Sequence, residues 1–118
     1  MEKIVRQNLL FDFYGELLTK HQKDIYEEII INDFSYSEVA KLEGISRQGV
    51  YDLIKRCDKI LEEYEEKLQL VEKFQNTKKM VAQINHLAGE LKVSNDNKLL
   101  IDKIDEIERI SNAICEEY

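Results

Sequence analysis

The sequence predicts an all-α protein built around a helix-turn-helix without a wing, and three observations carry that reading. The 118 residues include no proline and only four glycines, so hairpin turns lack their usual residues and little interrupts a long helix. Apolar side chains recur at three- and four-residue intervals along most of the chain. Between two such stretches lies a bend centred on Gly44. The first observation alone excludes a β-sandwich or barrel. The length fits one compact domain, or one domain with an appended arm. At 43% hydrophobic the chain can form a core, while 35% charged residues demand extensive solvated faces.

The first helix is expected over residues 9–18, with Leu10, Phe13, Tyr14, Leu17 and Leu18 on one stripe. Thr19 and Gln22 match a capping box, so a second helix should run over residues 20–31 with Ile25, Tyr26, Ile29 and Ile30 inward. Asn32 and Asp33 break it, Phe34 and Tyr36 offer aromatic packing, and Ser37 is the expected cap of the next helix.

The helix-turn-helix is assigned to residues 37–56. Val39, Ala40 and Leu42 make the inner face of its first helix, and Ala40 is small enough for two helices to cross closely. Gly44 reverses the chain, Ile45 plugs the turn, and Ser46 caps a second helix anchored by Val50, Leu53 and Ile54. Arg47, Gln48, Tyr51 and Lys55 are left facing outward, flanked by Asp52 and Arg56. Arg pairs with guanine and Gln with adenine through two bonds each, and recognition helices read bases with their amino-terminal residues. Tyr51 either stacks on a base, touches a sugar, or packs against Tyr36. Gly49 departs from a good helix interior by about 1 kcal/mol relative to Ala. Either a backbone approaches closely there, or the helix is weak.

After Lys55 the next glycine is Gly89, and a long amphipathic arm follows with Leu61, Tyr64, Leu68, Val71, Phe74, Lys78, Val81, Asn85 and Ala88 along its seam. Asn76 and Thr77 mark its expected kink or loop. A polar turn at residues 94–97 should cap a last helix, with Leu100, Ile104, Ile107, Ser111 and Ile114 as a seam broadened by Ile101 and Ile110. The reading divides the chain into a helical domain at residues 1–59 and an oligomerisation arm at 60–118. That much apolar seam exceeds what one helix pair hides, so a homodimer or higher oligomer is expected. The last helix buries its stripe against the arm of its own chain or of a partner.

The formal charge is −7, from 17 basic and 24 acidic residues, so phosphate contact requires a local basic face. Residues 35–60 net only +1, with Lys41, Arg47, Lys55, Arg56 and Lys59 against Glu38, Glu43, Asp52 and Asp58, but the basic residues concentrate on the second helix. Three or four neutralised phosphates give a salt slope of only about −3 to −4, so a monomer should bind duplex feebly and a dimer usefully. No signal-peptide pattern opens the chain, and no stretch approaches the ~18 apolar residues of a membrane span. A cytoplasmic protein without membrane association is expected. Cys57 and Cys115 read as reduced, buried thiols. His21 and His86 read as surface residues, and no metal or cofactor is expected. Glu62, Glu63, Glu65 and Glu66 read as a solvated helix face, and Ser46 as a cap with no base beside it. No Gly-rich phosphate loop is present, so an enzyme is not expected.

The stretch FDFYGELLTKHQKDIYEEIIINDFSYSEVAKLEGISRQGVYDLIKRCDKILEEYEEKL resembles the YlxM-like proteins of Gram-positive bacteria, most specifically in YSEVAKLEGISRQGVYDLIKR. The similarity covers roughly the first 75 residues. It implies a helix-turn-helix similar to region four of bacterial sigma factors. It also implies genes lying beside those of the signal recognition particle GTPases. The function implied is either a DNA-binding regulator or an accessory of the signal recognition particle. In the first, double-stranded DNA is the partner. Arg47, Gln48, Tyr51 and Lys55 enter the major groove, while Lys41, Arg56 and Lys59 touch phosphates. In the second, the same helix docks on the particle's GTPase or RNA.

Overall fold

The computed structural model describes residues 2–93 and 96–117, and among them every regular element is helical. α1 spans Lys3–Tyr14 and tightens into a 3₁₀ turn at Gly15–Leu17. α2 spans Lys20–Tyr26 and widens into a π turn at Glu27–Ile31. α3 spans Tyr36–Glu43, α4 Arg47–Leu68, α5 Leu70–Val93 and α6 Asn97–Glu117. The chain folds as two compact units, Met1–Val71 and Glu72–Tyr118.

In the first unit, Leu10, Tyr14, Ile25, Tyr26, Val39, Val50, Ile54, Cys57, Leu61 and Val71 form one buried cluster. Leu61 and Val71, which periodicity placed on the arm, belong to this core. Phe13 and Leu17, expected on the inner stripe of the first helix, are 36% and 53% exposed. α1 stops at Tyr14, and the tighter turn after it changes the phase, so that Leu18 reaches the core and Leu17 does not. Gly15 is required there, because a Cβ would lie 2.9 Å from the Phe11 ring.

The Thr19–Gln22 capping box is present, with Gln22 N donating to Thr19 Oγ1 and Thr19 N to Gln22 Oε1. Asp33 takes a left-handed φ of 60° where the second helix ends. The next cap is Ser35, not Ser37: Glu38 N donates to Ser35 Oγ, which in turn donates to Glu38 Oε1. Starting there takes Tyr36 into the helix and leaves Ser37 exposed in its first turn.

Polar side chains tie the helices together. Arg6 of α1 grips Glu62 of α4 through two bonds, Nε to Oε1 at 2.6 Å and Nη2 to Oε2 at 2.7 Å. Asp58 of α4 accepts from Gln7 of α1 and from the Tyr26 hydroxyl of α2 at 2.7 Å. Burial, followed by that bond to Asp58, raises the Tyr26 pKa well above the ordinary tyrosine range, so the hydroxyl remains a donor.

The long helix breaks at Gln69, at a left-handed φ of 55°, and not at Asn76–Thr77, which lie inside α5. Tertiary bonds rather than local propensity set the break. Leu70 N donates to the Tyr14 hydroxyl and Val71 N to Glu65 Oε1. Glu65, read from sequence as solvated, is therefore buried, whereas Glu62, Glu63 and Glu66 are exposed.

In the second unit α5 and α6 are joined by an ion pair between Glu90 and Lys103, with His86 Nε2 also 2.7 Å from Glu90. Of the polar turn expected at residues 94–97, Ser94 and Asn95 lie outside the described residues. Asp96 caps α6 by accepting from the amides of Lys98 and Leu99. Leu87 is buried, and Leu100, Ile107, Ile110, Ser111 and Ile114 are half-buried. Phe74, Val81, Ile101 and Ile104, expected along the seams, are exposed, because one helix pair covers only one side of each stripe.

Candidate nucleic-acid interface

Gly44 holds the bend between α3 and α4 at φ 68° and ψ 31°, with the backbone N–H groups of Gly44 and Ile45 both donating to Ala40 O. Only glycine takes that conformation without strain. Val39 and Ala40 face Val50 and Ile54 across it, with Ile45 packed against the same core. Ile45 fills the place expected for Leu42, which stands 68% exposed on the last turn of α3.

Ser46 caps α4 by accepting from Gly49 N at 2.9 Å. The glycine at position 49 matters to this cap, since a Cβ there would sit 3.1 Å from Ser46 Oγ. The close approach is thus to a capping hydroxyl and not to a backbone.

Val50, Ile54, Cys57, Leu61 and Glu65 form the buried side of α4. The opposite side presents two parallel rows at four-residue steps, Arg47, Tyr51, Lys55 and Lys59 in one and Gln48, Asp52 and Arg56 in the other, all exposed. Lys41 is exposed on the last turn of α3. Among the described residues, Lys41, Arg47, Lys55, Arg56 and Lys59 have no ion-pair partner, whereas Arg6, Lys20 and Lys23 are each neutralised by a carboxylate.

Tyr36, Arg47, Gln48 and Tyr51 line an open concavity of about 550 Å³ at the start of α4. Tyr51 meets Tyr36 edge-on, with ring centroids 6.0 Å apart, and remains 37% exposed. The Lys55 ammonium lies 4.9 Å from the Tyr51 ring centroid. Its interaction with the Tyr51 side chain raises its pKa from the ordinary lysine value, so it is fully charged at neutral pH. Gln48 Nε2 donates to Asp52 Oδ1 at 2.9 Å. Sequence reasoning treated Asp52 only as a flanking residue; the signal for the contact was its spacing of four from Gln48.

Among the described residues no three His, Cys, Asp or Glu side chains gather as metal ligands. No described helix is long and apolar enough to cross a membrane. Cys57 is buried, but Cys115, expected to be buried as well, is exposed near the end of α6.

The family model described as "Putative helix-turn-helix protein, YlxM / p13 like" matches residues 1–107, well past the stretch that carries the recognisable motif. The UPF0122 protein YlxM of Bacillus subtilis is 43% identical over 108 residues, covering 92% of this chain and 98% of its own. A UPF0122 protein of Bacillus velezensis matches to the same extent, and one of Bacillus cereus is 41% identical over 109 residues, covering 92% of this chain and 99% of its own. An all-helical fold, a capped helix behind a left-handed glycine and these similarities agree: the chain belongs to the YlxM/p13-like helix-turn-helix family, UPF0122.

Proposed function

We propose that the chain is a non-enzymatic regulator that binds double-stranded DNA in the cytoplasm. Arg47, Gln48, Tyr51 and Lys55 face the bases of a major groove, and Lys41, Arg56 and Lys59 face phosphates. The observation that carries this reading is the double row on α4: exposed cations without ion-pair partners, on a helix whose other side is buried from Val50 to Glu65. A helix so anchored loses little further freedom on docking, and its first turn carries the two side chains suited to two-bond base contacts. Of the arm expected at residues 60–118, the part beyond the first unit's core, Glu72–Tyr118, then joins two copies, since each chain offers too few phosphate contacts alone.

The test is quantitative binding to duplexes enriched from a random pool. Arg47→Ala and Gln48→Ala relax sequence preference, and Lys55→Ala weakens all duplexes alike with a salt slope smaller by about 1. Equal binding by the wild type and the triple variant overturns the reading. Sedimentation at micromolar concentration tests the arm, and a folded monomer there refutes it.

A second reading is favoured by the net charge of −7. In it the same face docks on the GTPase or the RNA of the signal recognition particle, with little base specificity in duplex DNA, because an RNA helix hides its major groove. Capture of that GTPase and RNA, measured beside the duplex selection, separates the two.

A further inference from the structure

Asp52 is an acidic residue in the middle of a face whose other charges are positive, and its geometry gives it a task. Gln48 Nε2 donates to its Oδ1 at 2.9 Å. A carboxylate at neutral pH accepts and cannot donate, so the Gln48 amide must turn its nitrogen toward Asp52 and its Oε1 away. Both residues are exposed, and Gln48 lines the concavity with Arg47. Gln48 therefore presents a free carbonyl oxygen and one remaining N–H, and Asp52 presents its other acceptor positions. Arg47 beside them is donor only.

We propose that Asp52 is a specificity-determining residue that, with Gln48, selects a base on the contacted strand whose exocyclic amino group donates into the major groove. This rests on the nucleic-acid reading above. Adenine N6 and cytosine N4 donate into the major groove and match the acceptor oxygens of the pair. Guanine O6 and N7 and thymine O4 are acceptors and oppose them. Adenine satisfies the pair best, because the remaining Gln48 N–H can reach N7 while Oε1 takes the N6 proton. The carboxylate also repels phosphates, so it lowers affinity for duplex of every sequence while sharpening the choice of base.

The test is duplex selection with the wild type, Gln48→Ala, Asp52→Asn and Asp52→Ala, followed by affinity measurements on duplexes carrying each of the four bases at one position. Gln48→Ala marks the position. At that position Asp52→Asn and Asp52→Ala reduce the preference for adenine and cytosine over guanine and thymine by roughly tenfold. Both also bind random-sequence duplex more tightly than the wild type does. An exposed pair spaced by four contributes little to helix stability, so both variants keep the wild-type urea midpoint and their binding changes are not folding effects. If the wild type enriches a motif and the Asp52 variants enrich it with the same base preference, this proposal is overturned and the nucleic-acid reading stands. If the wild type enriches no motif at all, both fall.

Discussion

The Tyr14 hydroxyl donates to Glu65 Oε1 at 2.5 Å inside the first unit, and the two side chains together hold the start of the following helix. Leu70 N donates to the Tyr14 oxygen at 3.1 Å, and Val71 N to Glu65 Oε1 at 3.0 Å. Burial, and then the bond to Glu65, raises the Tyr14 pKa, which keeps its hydroxyl protonated as the donor this arrangement needs. Glu65→Ala strands the Tyr14 hydroxyl and the Val71 amide, and its expected cost is about 1–3 kcal/mol. Tyr14→Phe removes the acceptor of Leu70 and the donor to Glu65, with a loss in the same range. Urea unfolding measures both, and unchanged midpoints would refute the role assigned to the pair.

The Arg6–Glu62 fork predicts a pH dependence. Its bond to Arg6 holds the Glu62 carboxyl below the usual glutamate value. The folded pKa is thus lower than the unfolded one, so the pair stabilises fully above the ordinary value of about 4.3 and loses that contribution as pH falls through the depressed value. Both side chains are well exposed, which limits the effect to about 0.2–1 kcal/mol. Glu62→Gln is expected to be less stable than wild type by that amount at neutral pH, with the difference vanishing in acid and shrinking in high salt. Urea midpoints across the pH range check this; a constant difference would contradict it.

The two thiols are expected to differ sharply in reactivity. Burial pushes the Cys57 thiol up to about 11, while Cys115 is exposed. A disulfide reagent such as DTNB should label one thiol per folded chain and two in denaturant. Rapid labelling of both in the folded protein would mean that the core around Cys57 opens.

Gly44→Ala isolates the cost of backbone conformation, because no atom lies within 4 Å of where the new Cβ would be. The left-handed φ should cost about 1–2 kcal/mol, and Gly44→Asn less. Equal stability of the alanine variant, read from thermal or urea unfolding, would show that the bend relaxes.

Local signals were legible in the sequence and long-range ones were not. The Thr19 box, the Gly44 bend, the Ser46 cap and the outward row from Arg47 to Lys55 depend on residues within a few positions of one another, and pattern alone reaches them. The Ser35 cap is also legible, as Ser35-x-x-Glu38 matches the box motif, although Ser37 sits nearer the apolar run. The break at Gln69 had no local signal, since no glycine or proline stands between Gly49 and Gly89. It is set by Tyr14, more than fifty residues earlier in the chain. The same holds for Glu65, which looks like its solvated neighbours until the partner across the core is known. On the exposed face of α4, the type and outward direction of each side chain were readable. The spacing of four makes neighbours of Gln48 and Asp52 and of Tyr51 and Lys55, but the contacts they form are decided by rotamers.

One rod of 22 residues, α4, carries the outward rows at its front and the first unit's packing contacts from Val50 to Glu65. Front and rear share an unbroken backbone, so the front has no hinge of its own. On the nucleic-acid reading proposed above, substitutions at positions 47, 48, 51 or 55 exchange one preference for another without disturbing the angle of approach. Changing that angle would mean reshaping the body behind it, so on the same reading descendants of such a chain diversify what they recognise far more readily than how they approach it.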